Sequence, residues 1–248
     1  MNKTILYLSL CIALCSLTNC APSLYQISNS ENLSVTEQVE IDPTLDNYIQ
    51  PYKFSLESEM NEVIGQTEYP ILKTGVGETP LGNLIADLQK EFAEEVLGYP
   101  IDISIMNNGG IRNTLPKGNI TVSNIFELSP FENYLYILEL EGEDVRHLAA
   151  AAIQKKNLGI SGMELESLDG KLITLKVNGA DIDASKTYLL ALNDYLAEGG
   201  DGMEFAKNLP RKEQSGYLIR EILIQQIRKK TERGEKIKAE IEGRQKIK

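Results

Sequence analysis

Apolar positions recur along this 248-residue chain with two different periods, and the switches between them mark out its elements. Leu81, Leu84, Ile85, Leu88, Phe92 and Val96 fall three and four residues apart, the spacing of one helix face. Thr79 suits an N-cap, Pro80 the first helical position, and Gly98 stops the run. The pattern predicts a helix whose apolar face, Val96 included, is core. Ile101-Asp102-Ile103-Ser104-Ile105 then alternates with period two, predicting a half-buried strand. Tyr134–Glu141 also alternates, and beyond Gly142 comes an alanine-rich helical stretch with Leu148, Ala149, Ala152 and Ile153. Leu172–Val177, Asn178-Gly179 and Ala180–Ile182 form a hairpin pattern. Tyr188–Leu192 predicts another strand, and 215–230 a helix. Ile71–Lys73 and a loosely alternating Ile237–Ile247 are further strand candidates, and Gly118–Leu128 holds a short strand and a turn of helix. Strands and helices intermix without repeats, so the expected fold class is α/β, one domain over residues 51–248.

The first fifty residues follow a different rule. A short polar start precedes an apolar run from Ile5 to Leu17, about the length of a signal-peptide core and too short for an ordinary membrane-spanning helix. Leu17-Thr18-Asn19-Cys20 resembles a bacterial lipobox, with Asn19 a departure from the usual small residue. The expectation is a signal peptide over 1–20, lipidation at Cys20 and a polar tether over 21–50. The protein would then be held in the bacterial cell envelope through its lipid, at the outer membrane facing the periplasm.

Composition narrows the chemistry. A net charge of −11 argues against nucleic acid as partner. Residues 228–248 run the other way, with nine basic and four acidic side chains; a solvated helix face plus an edge strand is the simple reading, and a patch for an acidic partner or anionic lipid the sharper one. All three cysteines lie in the first twenty positions and His147 is the one histidine, so the folded part lacks the donors of a thiolate or multi-histidine metal centre. Glu139, Glu141 and Glu143 suit a solvated strand end and a helix N-terminus better than paired acid–base work.

Two glycine-rich loops stand out. Asn107-Asn108-Gly109-Gly110-Ile111-Arg112 follows the strand ending at Met106, and Asn193–Gly202 follows the strand 188–192. In the first, the glycines could take positive φ and bare backbone N–H groups could cradle an anion, with the Arg112 fork beside them. On these residues alone, a plain tight turn with an exposed arginine is the simpler reading.

Taken with Glu78-Thr79-Pro80-Leu81-Gly82-Asn83-Leu84 and Ser129-Pro130-Phe131, the order and spacing of these loops resemble the C-terminal domain of the 5'-nucleotidase family. The resemblance spans roughly residues 65–210. It implies a mixed sheet flanked by helices and a domain that binds nucleotide, while a separate metallophosphoesterase domain with two divalent metals hydrolyses it. Carried over, Phe131 and Tyr195 would sandwich the base, Asn107 would hydrogen-bond it, and Asp201 would hold the ribose hydroxyls. Gly110 and Arg112 would lie near ribose and phosphate. The resemblance also implies no cofactor bound by this chain, a metallophosphoesterase partner protein carrying the metals, and a nucleotide or nucleoside ligand. Two departures are expected to matter: residues 1–50 are too few to hold the metal-binding domain, which is therefore expected on a separate chain, and Val76-Gly77 stands where the family often places an arginine, with Lys73 the nearest base. A non-enzymatic nucleoside-binding lipoprotein and a scaffold that has lost its ligand are the alternatives. An independent hydrolase is not expected.

Overall fold

A computed structural model describes residues 39–248, with Asn32, Ser34 and Thr36 before them. The signal peptide, Cys20 and most of the tether lie outside the described residues. Contacts divide the chain between Ile49 and Gln50, a point that falls inside helix α1 (Pro43–Met60). The part of α1 in the first unit begins where Asp42 accepts the N–H groups of Thr44 and Leu45 at 2.8 and 3.3 Å, with Pro43 at the first helical position. This helix replaces the end of the expected tether and the mixed segment after Pro51, and none of its residues is buried.

The second unit, Gln50–Lys248, is a mixed α/β domain as expected. Its centre is a five-stranded sheet in the order β10-β4-β9-β2-β5, built from β2 (Ile103–Met106), β4 (Tyr134–Leu140), β5 (Gly159–Ser161), β9 (Tyr188–Asn193) and β10 (Arg211–Leu218). One face of this sheet packs on α2 (Pro80–Leu97), α3 (Val122–Leu128) and α6 (Ile219–Glu232) through Leu81, Leu88, Phe92, Ile125, Leu135, Ile137 and Leu223. The other packs on α4 (Gly142–Lys155) through Leu138, Leu140, Leu148, Ala152 and Leu190. A second sheet joins that core in the order β11-β6-β7-β8, formed by β6 (Met163–Leu168), β7 (Lys171–Val177), β8 (Ala180–Asp181) and β11 (Gln245–Ile247). A small antiparallel pair, β1 (Val63–Thr67) and β3 (Gly118–Thr121), completes the domain.

Helix α2 begins and ends as its sequence dictates: the Thr79 hydroxyl accepts Gly82 N–H at 3.1 Å, and Gly98 closes it at φ 75°. Val96 departs from the expected core face and is 39% exposed. Strand β2 is not half-buried either, because it is central and both its faces are covered. Its polar Ser104 meets Gln89 of α2, whose Nε2 donates to the hydroxyl at 3.0 Å. The α2–β5 contact is close enough that a Cβ on Gly159 would fall 2.5 Å from the Gly82 carbonyl oxygen. The hairpin turn forms with Asn178 and Gly179 at φ 51° and 76°, the left-handed pair such a turn requires.

Two C-terminal expectations fail. Residues 215–218 are strand, not helix, since Ser215 donates its hydroxyl to the Leu135 carbonyl oxygen at 2.7 Å and β10 pairs with β4. From Ile237 onward the chain is irregular up to β11. A buried carboxylate holds it: Glu78 accepts from Glu242 N and Asn83 Nδ2 on Oε1 (2.6 and 2.5 Å), and from Gly243 N and Arg244 N on Oε2 (both 2.7 Å). Arg244 then forks onto Asp87 with two 2.8 Å bonds. The basic tail is met largely by acids of this same chain: Arg228 pairs with Glu62, Lys229 with Glu95, Lys230 with Glu91 and Lys236 with Glu68.

Candidate functional site

Sheet topology gathers the singled-out residues. Strands β2 and β9 are parallel neighbours, with Ile103 opposite Leu190, so the loops leaving both emerge at one end. Strand β4 runs antiparallel to β9 with Leu135 opposite Asn193, which brings the loop entering β4 to the same end. Ligands in α/β sheets collect beyond the carboxyl ends of parallel strands. Here Asn107, Gly109, Gly110, Phe131, Asn133, Tyr195 and Asp201 line one cavity of about 350 Å³.

Phe131 and Tyr195 are 46% and 48% exposed, so neither ring belongs to the core and both line the open cavity. Tyr195 lies on α5 (Asp194–Ala197). Its ring packs so closely on the following turn that a Cβ on Gly200 would sit 2.5 Å from it. Its hydroxyl accepts Asp201 N–H at 3.2 Å. Tyrosine therefore does something phenylalanine could not: it braces the Asp201 backbone, which sits at φ 52°, a left-handed conformation that strains a non-glycine residue.

Asn107 is 6% exposed and its amide is fixed at both ends. Nδ2 donates to Asp201 Oδ2 at 2.6 Å, while Oδ1 accepts from Asn193 Nδ2 at 3.1 Å. The other Asp201 oxygen has Lys155 Nζ at 3.8 Å. Gly110 is required for space, since a Cβ there would meet Asn107 Oδ1 at 2.9 Å and Met106 Cε at 2.7 Å. Neither Gly109 nor Gly110 has positive φ, contrary to the sequence expectation; the segment Asn108–Gly110 is a 3₁₀ turn. Three of the backbone N–H groups at this loop are already used: Gly110, Ile111 and Arg112 donate to Asn107 O, Asn108 O and Leu128 O.

Arg112 is outside the cavity lining. It is exposed, donates to Gly109 O at 3.3 Å, and holds its guanidinium carbon 5.9 Å from the Phe131 ring centroid. Lys73 comes to the same loop, its ammonium donating to the Ile111 carbonyl. Gly77 sits at φ 81° and donates to the Lys156 carbonyl. His147 stands apart on α4, with Glu143 and Asp144 at 3.9 and 4.0 Å. Among the described residues no three His, Cys, Asp or Glu side chains converge as a metal's ligands would.

Three residues that sequence reasoning passed over set the geometry. Asn193 is buried, caps α5 through Leu196 N–H at 2.8 Å, and orients Asn107. Asp194 Oδ1 accepts from Asn133 Nδ2 and from Tyr195 N, both at 2.8 Å, tying the loop that carries Phe131 to the helix that carries Tyr195. An Asn-Asp pair directly after a strand is an N-cap signal, so Asn193 was within reach of the sequence.

The family model for the 5'-nucleotidase C-terminal domain matches residues 63–208. The chain is 30% identical over 210 residues to Protein UshA of Yersinia enterocolitica, covering 81% of this chain and 37% of that protein. It is 29% identical over 237 residues to the trifunctional nucleotide phosphoesterase protein YfkN of Bacillus subtilis, covering 88% of this chain and 16% of that protein. Among solved structures, the 5'-nucleotidase precursor of Thermus thermophilus superposes with a TM-score of 0.69 at 25% identity, over 82% of this chain and 42% of that one. The chain thus spans well under half the length of these relatives.

Proposed function

Because the chain belongs to the 5'-nucleotidase C-terminal domain family, we propose that it is a nucleotide- or nucleoside-binding domain that presents its ligand to a separately encoded metallophosphoesterase. The observation that carries the reading is the convergence of two half-exposed rings, a locked amide and a carboxylate on one 350 Å³ cavity. Phe131 and Tyr195 stack the base, a contribution of roughly 1–3 kcal/mol per ring. The remaining N–H of Asn107 reads the base edge. Asp201 accepts the ribose hydroxyls, since one of its oxygens is not engaged by Asn107. Gly110 lines the cavity beside the sugar, and Arg112 steers the phosphate from beside Phe131. The partner supplies two divalent metals and the attacking water; this chain binds and delivers. Lipid on Cys20 holds it at the outer membrane facing the periplasm.

Titration calorimetry with adenosine, AMP and a UDP-sugar tests this, each with and without Mn²⁺. Metal-independent binding is expected, weakened about tenfold or more by Phe131→Ala and by Tyr195→Ala. Silence with every ligand would refute it. Mixing with the purified metallophosphoesterase should raise nucleotidase activity.

A second reading has support from Val76-Gly77, which stand where the family often places an arginine: a lipoprotein that captures nucleosides without any enzyme. Equal affinity for adenosine and AMP would favour it.

A further inference from the structure

Arg220, in the first turn of α6, is a cation only 9% exposed. Among the described residues none of its partners is an acid. Its guanidinium carbon lies 4.3 Å from the Phe126 ring centroid, and Nη1 donates to the carbonyl oxygens of Ser129 and Pro130 at 3.5 and 3.4 Å. Both bonds are long, and Nε is buried with no partner. A buried charge without a counter-ion is costly, whereas a desolvated guanidinium gains most from an aromatic face. The Phe126 ring is therefore its main support. All three contacts share one place in the chain: Phe126 is near the end of α3, and Ser129 and Pro130 lead from it directly to Phe131. The Pro130 carbonyl belongs to the planar peptide that Phe131 enters, so a hold on that oxygen is passed to Phe131. The start of α6 also holds the far end of this loop, since Ile219 N–H donates to Asn133 O at 2.9 Å. Phe131 thus stands in the middle of a loop fastened at both ends to consecutive residues of one helix.

We propose that Arg220 is a positioning residue: by gripping the Ser129 and Pro130 carbonyls while seated on Phe126, it sets the direction in which Phe131 meets the base. The inference rests on the stacking site proposed above. The Phe131 ring is half-exposed, so the anchors of its loop, more than packing around the ring, fix where it points. Lysine is not equivalent at 220, because the ring contact and the carbonyl bonds both use the flat guanidinium fork, and an ammonium is a compact point charge. A role exercised through Phe131 leaves a distinctive mark. Removing the guanidinium costs affinity only while there is a ring at 131 to misdirect, and a contribution to stability alone has no such dependence.

The test is a double-mutant cycle on the full chain in detergent, with adenosine affinity measured by calorimetry for wild type, Arg220→Met, Phe131→Ala and the two together. Arg220→Met should weaken binding about three- to tenfold in the wild type and leave it unchanged in Phe131→Ala. Arg220→Lys should fall between arginine and methionine, and it carries the same comparison if Arg220→Met does not fold. The chain has no tryptophan, so Phe131→Trp supplies a single indole that reads the loop without ligand. Adding Arg220→Met should make that indole more mobile and lower its fluorescence anisotropy well below the melting temperature. Equal weakening in both backgrounds, no weakening in either, or an unchanged anisotropy overturns the positioning role, while adenosine binding by the wild type leaves the stacking site standing. Silence of the wild type with adenosine overturns both.

Discussion

Replacing Glu78 by glutamine tests how the C-terminal segment is held. Both carboxylate oxygens are in use, each facing two N–H donors: Glu242 N and Asn83 Nδ2 on one, Gly243 N and Arg244 N on the other. An amide of the same shape has one acceptor oxygen and one NH₂ group. Whichever way it is turned, the NH₂ confronts two donors, so two of the four bonds are lost and replaced by repulsion. Hydrogen bonds to a charged group contribute about 1.5–3 kcal/mol each, which puts the loss at about 3–6 kcal/mol if the segment stays in place. Swinging the tail into water caps the cost, and about 3 kcal/mol is the expected figure. At roughly 2–4 °C per kcal/mol for a domain of this size, Glu78→Gln should melt about 6–12 °C lower. Calorimetric melting gives the shift, and amide exchange shows whether residues 242–244 open first. A variant that melts within about 2 °C of wild type with those amides still protected would refute the reasoning.

Tyr195→Phe keeps the ring but removes the brace on Asp201; adenosine should bind about two- to fivefold more weakly while free adenine is unaffected, and equal weakening of both would contradict the assigned role. A hydrogen bond from Lys186 to Asp102 at 2.7 Å raises the lysine pKa above its usual range. The stability this pair contributes is therefore complete below the unfolded lysine pKa of about 10.4 and is lost only as pH rises through the higher folded value. The difference in melting temperature between wild type and Lys186→Met should be constant from about pH 6 to 9 and shrink at more alkaline pH.

Elements written in local chemistry could be read from the sequence. Helix α2 carries its own cap, proline and terminal glycine, and the β7–β8 turn its Asn-Gly. Phe131, Tyr195, Asn107 and Asp201 could be grouped only by resemblance, because the parallel pairing of β2 with β9 that unites their loops is a long-range choice. What stayed hidden depends on tertiary partners. Ser104 looks like the polar face of a half-exposed strand until Gln89 meets it, and residues 215–218 look helical until β4 offers an edge. The glycines of Asn107–Gly110 suggested positive φ, whereas Gly110 is there because Asn107 leaves no room for a Cβ. Asp42-Pro43 was a helix start in plain view, outweighed by the polar composition around it.

The bonds that frame the cavity join residues far apart in the chain: Asn107 to Asp201 across 94 positions, Asn107 to Asn193 across 86, and Asn133 to Asp194 across 61. Such contacts carry the loop-closure cost that slows folding, and they form once the strands between them have paired. The cavity is therefore complete only once the sheet has closed. A nucleoside added during refolding should leave the folding rate unchanged and slow unfolding alone, so that occupancy reports the completed domain.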